Sequence, residues 1–282
     1  MSFLFRFARR FVAGESIQAA LAEVKRLNDS GLLVTLDFLG ENVASREEAV
    51  KAASTYVTML EEIDRLKLKA NVSLKLTQMG LDMGEEFCLE QVERIVSRAA
   101  DFSNFVRIDM EGSGYTDRTL SVFEKAYKKL GNVGIVLQAY LHRTDKDVDR
   151  MIELKARVRL CKGAYAEPAT IAIKSMPKIR ENYMKLTEKL LKSKIYHGIA
   201  THDERLIKAT AALAGQLGIA KDAFEFQMLY GIRPKRHLEL VREGYNMRVY
   251  VPFGTHWLPY FYRRLRERKE NVFFIISNLI RG

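Results

Sequence analysis

Cysteine is scarce in this chain: Cys88 and Cys161 are the only two among 282 residues. Two thiols give no disulfide framework, so a reducing compartment is the simpler expectation. There are five prolines and no Pro-, Gly- or Ser-rich tract, which predicts one domain over residues 1–282. Long apolar runs are missing too. Val272 to Ile276, one of the longest, falls far short of the ~20 residues that span a bilayer. Met1 to Val12 lacks the unbroken apolar core of a secretory leader. The five histidines show no His-x-His or i, i+4 pairing, so no metal is expected. There is no Gly-x-Ser-x-Gly elbow, which argues against a serine hydrolase, and neither cysteine has a compelling base partner. No Gly-x-Gly-x-x-Gly follows the first apolar run, which argues against the dinucleotide site of an open sheet.

Positive charge, by contrast, is in excess: the formal net charge is +11. Nucleic acid, an anionic membrane surface and an anionic ligand would each answer it. The basic residues are spread along the chain, densest at 65–69, 125–129 and 263–269. Without zinc-ligand spacing or an Arg/Gly tract, nucleic acid ranks last. Near the start, Phe3, Leu4, Phe7, Ala8 and Phe11 form one helical face and Arg6, Arg9 and Arg10 another. That pattern reads first as a helix docked on its own domain. A membrane-surface helix or the tail of a targeting sequence is the alternative. Helical spacing resumes over 15–29, with Ile17, Leu21, Val24 and Leu27 on one face.

From residue 30 onward, short β-branched runs alternate with helix-length segments. The runs begin at Leu33, Asn71, Phe105, Gly134, Arg157, His197, Phe224 and Met247. The segments between them cover 45–67, 88–102, 117–130, 145–155, 178–192, 203–217 and 234–243. Eight strands alternating with helices predict an α/β fold, a parallel (β/α)8 TIM-type barrel over 30–282 behind a helical segment at 1–29. A doubly wound open sheet is the runner-up.

In a barrel, functional residues collect at the C-terminal ends of the strands. Those ends carry Lys75 and Thr77; Asp109 and Glu111; Gln138 and Tyr140; Arg159, Lys162, Gly163, Ala164 and Tyr165; Thr201, His202 and Asp203; Gln227, Leu229 and Tyr230; and Tyr250. Each has a plain reading as well. Thr201 and Asp203 suit helix N-caps, His202 suits a structural hydrogen bond, and Asp109 suits an ion pair with a neighbouring cation. Together they place many polar groups where strands should be buried, and such groups need partners. In the last segment Tyr260, Arg263, Arg264 and Glu267 fall at i, i+3, i+4 and i+7, one face of a helix. Two guanidiniums side by side suit a carboxylate or phosphate, although a solvated basic helix near a C-terminus is the ordinary outcome.

The pattern Tyr-x-x-Arg-Arg-x-x-Glu at 260–267 resembles the signature of the flavin-dependent proline dehydrogenases. Ser73-Leu-Lys75-Leu, Ile108-Asp109, Gln138-Ala-Tyr140, Arg159-Leu-Cys-Lys162-Gly-Ala-Tyr165, Ala200-Thr-His202-Asp and Phe226-Gln227-Met-Leu229 resemble further family segments in the same order, from about residue 30 to the end. The likeness is to the monofunctional bacterial enzymes. It implies a distorted (β/α)8 barrel whose last helix lies over the C-terminal mouth, holding FAD non-covalently. The implied reaction oxidises L-proline to Δ1-pyrroline-5-carboxylate by hydride transfer to FAD, with electrons passed to a quinone. By the same resemblance Lys75, Arg263 and Arg264 clamp the substrate carboxylate. Arg159 donates a hydrogen bond near the flavin N5, and Asp109 belongs to the site. Tyr165, Leu229, Tyr250 and Tyr260 line the substrate ring, and Glu267 orients the arginines. Gln138, Lys162, Gly163, Ala164, Thr201, His202 and Gln227 hold the cofactor together with Arg159, Arg264 and Glu267. The sequence departs from the pattern at Ala166, where some members have a tryptophan that packs on adenine, and in a short N-terminal arm. Relatives that prefer hydroxyproline tend to have a smaller residue at the position of Tyr250, so the resemblance implies a preference for proline. A cytoplasmic location is expected, and a lipid-soluble acceptor would add peripheral contact with the inner face of the membrane. A methylenetetrahydrofolate-type reductase and a basic surface-binding protein are the competing functions.

Overall fold

The computed structural model describes residues 10–260 and 262. The first helix, α1 (Ile17–Asp29), starts at an N-cap, Ser16, whose hydroxyl accepts from the Ala19 amide. It buries Ala20, Leu21, Val24 and Leu27, the face that its spacing predicts. There follow β1 (Leu33–Phe38), α2 (Arg46–Arg65), β2 (Ala70–Leu74), α3 (Glu85–Asp101), β3 (Val106–Ile108) and α4 (Thr116–Leu130). The chain continues through β4 (Val133–Gln138), α5 (Thr144–Glu153), β5 (Val158–Cys161), α6 (Met176–Lys192), β6 (Gly198–Ala200), α7 (Glu204–Gln216), β7 (Glu225–Leu229), α8 (Pro234–Arg242) and β8 (Asn246–Phe253). All eight predicted strands are present.

The strands run parallel in chain order, and β8 closes on β1 through Leu33↔Arg248, Thr35↔Tyr250 and Asp37↔Pro252. Side chains alternate across each strand. Val34, Leu36, Val72, Leu74, Val106 and Ile108 therefore join the apolar core shared with the helices. Leu36 is wholly buried there, and trimming such a side chain to alanine typically costs ~2–5 kcal/mol. The alternate positions turn inward, and these are largely polar: Thr35, Asp37, Ser73, Arg107, Arg159, Glu225 and Gln227 are all buried. The barrel lumen is thus a hydrogen-bonded interior rather than a second apolar core.

The helices end at the barrel floor, the N-terminal side of the strands. Lys67, Ser103 and Lys155 turn the chain there through left-handed backbone, at φ 51, 52 and 57, which reverses the chain within a few residues. At the other end, residues 10–14 run beside the end of β8. The Ala13 amide donates to the Pro252 carbonyl (2.9 Å), and the Gly254 amide to that of Gly14 (2.9 Å). Phe11, Val12, Leu39, Ile232, Trp257 and Tyr260 form a small apolar cluster there. Among the described residues, no helix is long and apolar enough to cross a membrane. Of the expected last helix over the mouth only 257–260 and 262 are described, as helix, and most of the amphipathic face at 3–12 lies outside the described residues.

Candidate active site

The strand ends hold five of the predicted residues in two groups, Lys75 in one and Asp109, Arg159, Tyr250 and Gln227 in the other. The first is an ion pair. Lys75, one residue beyond β2, reaches Asp37 near the end of β1, with its Nζ 3.1 Å and 3.2 Å from the two carboxylate oxygens. Both side chains are almost wholly buried. Burial alone would lower the Lys75 ammonium, but the Asp37 and Asp109 carboxylates outweigh it and raise its pKa above the ordinary lysine value. Burial raises that of Asp37 in turn, against the pull of Lys75. Lys75 is therefore a fixed cation at the mouth.

The second group is centred on Asp109, just past β3. Its Oδ1 accepts from Ser73 Oγ (2.7 Å) and Arg159 Nη1 (2.8 Å), and its Oδ2 accepts from the Tyr250 hydroxyl (2.6 Å). The Arg159 guanidinium lies over the Tyr250 ring, 5.2 Å from the centroid, an attractive cation–π geometry. Arg159 Nε donates to Gln227 Oε1 at 2.5 Å. Burial and the nearby Asp109 carboxylate push the Tyr250 phenol well above its ordinary pKa, so it stays protonated as a donor. One carboxylate thus fixes both the guanidinium and the phenol. Arg159 Nη2 makes no hydrogen bond among the described residues.

Around this centre, Gln138 Nε2 donates to the Glu111 carbonyl (3.0 Å), while the Glu111 carboxylate accepts from the Thr77 hydroxyl (2.6 Å) and amide (3.1 Å). Lys162 stands 3.6 Å from Asp203, which also pairs with Arg180 at 2.7 Å. Asp203 caps α7 by accepting from the Arg205 amide, the plain reading its position suggested. The Thr201 hydroxyl accepts from the Asp203 amide (3.1 Å). His202 Nε2 accepts from the Leu229 amide (2.9 Å), which places the ring proton on Nδ1. Gly163 has φ +111, and a Cβ there would fall 2.1 Å from the Tyr140 ring; only glycine fits. Ala164 is exposed and Tyr165 half-buried in the loop after β5. Tyr260 is buried in the Trp257 cluster, with Leu229 packed against it. Arg263, Arg264 and Glu267 lie outside the described residues.

Sequence reasoning missed three residues of this network: Asp37, Glu225 and Arg248. Asp37 is a lone carboxylate in the run Leu33-Val-Thr-Leu-Asp-Phe, and its pairing with Ser73 across the sheet puts it beside Lys75. Glu225 alternates with Gln227 in Phe-Glu-Phe-Gln and so shares its inward face. Arg248 alternates with Tyr250 in the same way.

Comparison with known proteins shows the family and the fold. The family model for proline dehydrogenase matches residues 20–276. Proline dehydrogenase 1 of Bacillus subtilis (strain 168) is 43% identical over 274 residues, 97% of this chain and 91% of the relative. The proline dehydrogenase of Deinococcus radiodurans is 38% identical, over 99% of this chain and 92% of its own length. The solved structure of proline utilization A from Bdellovibrio bacteriovorus, inactivated by N-propargylglycine, superposes with a TM-score of 0.86 at 27% identity. That match covers 93% of this chain, which spans about a third (32%) of the solved one.

Proposed function

The chain belongs to the proline dehydrogenase family, and from that premise we propose that it oxidises L-proline to Δ1-pyrroline-5-carboxylate with FAD as hydride acceptor and a quinone as onward acceptor. Its activity is that of a proline dehydrogenase, an oxidoreductase of proline catabolism. The observation that carries the finer reading is the Arg159–Asp109–Tyr250 group set beside the Lys75–Asp37 pair at the strand C-termini.

Three features fit a flavin nucleotide. Arg159 has a donor, Nη2, that no described residue uses. Gly163, at φ +111 with the Tyr140 ring packed against it, gives the loop after β5 a turn that no side chain permits. Lys162 and Arg180 both stand at the start of α7 against the single carboxylate of Asp203, a local excess of positive charge that favours phosphate. Gln138, Arg159, Lys162, Gly163, Ala164, Thr201, His202 and Gln227 would hold the cofactor, with Arg264 and Glu267 from the tail. FAD, when bound, supplies the two-electron acceptor.

The protein's own part is orientation and charge. Lys75, with Arg263 and Arg264, would hold the substrate carboxylate. Cations near the substrate also disfavour its ammonium form. That matters because the nitrogen lone pair must form the C=N bond as the C5 hydrogen leaves with its electron pair. Tyr165, Leu229, Tyr250 and Tyr260 would line the ring. Asp109 keeps Arg159 and Tyr250 in one geometry, and a transferred hydride demands such alignment. We place the chain in the cytoplasm, where a lipid-soluble acceptor would bring it into peripheral contact with the membrane.

The test is a visible absorption spectrum of the purified protein before and after anaerobic L-proline. Flavin bands that bleach on addition are expected. Bands that persist would move the substrate to another small acid or a folate, and a protein without flavin even after reconstitution with FAD would sink the reading.

A further inference from the structure

The barrel interior contains a gap where a side chain should be. In the ladder, Arg159 pairs with Gly198, and Gly198 pairs with Glu225. Gly198 therefore sits between a buried cation and a buried anion and contributes nothing to the space between them. The side chain of Gln227, two residues beyond Glu225, fills that space. A Cβ on Gly198 would fall 2.3 Å from Gln227 Nε2 and 2.9 Å from its Cδ.

The amide bridges the two charges with matched polarity. Gln227 Oε1 accepts from Arg159 Nε, and Nε2 donates to Glu225 Oε1, both at 2.5 Å. A primary amide has two orientations of nearly equal shape, and its neighbours choose between them. Here the reversed orientation would turn the carbonyl toward a carboxylate and the NH2 toward a guanidinium. Glu225 is itself fixed. Both its oxygens accept from Arg248 Nε, at 2.8 Å and 2.9 Å, and Tyr196 donates to Oε2 at 3.1 Å. Arg248 is held in turn by the Val34 carbonyl at 2.7 Å. Burial works to raise the Glu225 pKa, but Arg248 holds it below the ordinary glutamate value, so the anchor stays charged.

We propose that Glu225 is a positioning residue for Arg159, acting through the amide of Gln227, and that the bare Gly198 is what admits this relay. Neither Glu225 nor Gly198 reaches the mouth; their influence there travels through one oriented amide. The inference rests on the reading of Arg159 as a group that meets the reacting cofactor. It identifies Gln227 as a link between the barrel floor and that group.

The experiment is a double-mutant cycle on the FAD-loaded protein with Glu225→Gln and Gln227→Leu, with kcat and KM for L-proline, the flavin reduction potential and thermal unfolding read on each. Each single change should lower kcat about tenfold to a hundredfold, the scale of one hydrogen bond to a charged group, with KM little moved and the potential shifted. In the Gln227→Leu background, Glu225→Gln should lower kcat no further while still lowering the unfolding temperature, because Arg248 loses its partner in either background. Full additivity in kcat would overturn the relay, and so would a Glu225→Gln protein with unchanged kcat and potential. Should Glu225→Gln not fold, Gly198→Ala tests the same point without touching the ion pair: it displaces the amide and should reproduce the loss of kcat. A readout independent of flavin is the Arg159 Nε–H signal in 15N spectra of the apo chain, whose exchange with solvent should quicken in all three variants. If wild-type protein is not reduced by proline, the functional reading fails, but the Nε–H exchange still decides whether the relay exists.

Discussion

The two ends of the barrel lumen use the same chemistry to opposite effect. At the floor, Glu225 has both oxygens engaged by Arg248 and Tyr196. Nearby, Arg107 is buried and donates through Nη1 to the carbonyls of Ile135 (3.2 Å) and Arg157 (2.7 Å). Burial, with Arg159 and Arg248 close by, pulls the Arg107 guanidinium well below its ordinary value. At the mouth, Asp109 engages Arg159, Tyr250 and Ser73, and Arg159 keeps one nitrogen unused by the described residues. A buried pair at the strand N-termini, away from the loops that build a barrel site, is structure. A pair that leaves a donor over at a strand C-terminus is available for chemistry. The difference lies in position along the strands rather than in residue type or spare donors, since the Arg107 Nε at the floor is buried and also makes no hydrogen bond among the described residues.

The comparison breaks most sharply if one partner of each pair is removed. Arg248→Met leaves the Glu225 carboxylate buried with its main partner gone. We expect a stability loss of ~3–5 kcal/mol in denaturant unfolding. An unchanged midpoint would mean that the floor pair is not structural. Arg159→Met at the mouth should act the other way round. Proline oxidation should fall on the order of 10²–10³-fold, with a smaller shift in unfolding than Arg248→Met produces. If the stability effects of the two are equal, the distinction between the ends fails.

A pH titration separates the ends further. His197, at the start of β6, is wholly buried. Its Nδ1 accepts from the Val158 amide (3.0 Å), and its Nε2 lies 3.0 Å from Ser193 Oγ. Burial, with Arg107 near, lowers its pKa from 6.5 to about 3. Because the folded value is depressed, the unfolded chain binds more protons between those limits. The stabilisation is complete above pH 6.5 and is lost as pH falls from there toward 3. His197→Asn should flatten that part of the stability curve, and an unaltered acid limb would assign it to other groups. Exposed pairs set the lower bound of the scale. Lys25→Ala breaks a pair with Asp29 in which both side chains are largely exposed, and it should change unfolding by less than ~1 kcal/mol.

What the sequence determined by itself is the alternation. Period-2 apolar runs and 3.6-period segments are local patterns, so Leu33–Phe38 is visible as a strand and the inward face of α1 as a face without knowledge of any partner. The same rule pointed to the strand ends, and with them to Lys75, Asp109, Arg159, Gln227 and Tyr250 as candidates. Only the tertiary structure decided which of these meet. Tyr250 and Asp109 are 141 positions apart, and Arg159 and Ser73 are 86 apart. Their contact depends on closure of β8 onto β1 and on the register of each strand, neither of which has a local signal. Asp37 and Glu225 were missed for that reason. A carboxylate in an apolar run looks like an exception until the neighbouring strand supplies its cation. The emptiness of Gly198 gains meaning only when the Gln227 amide is seen to fill it.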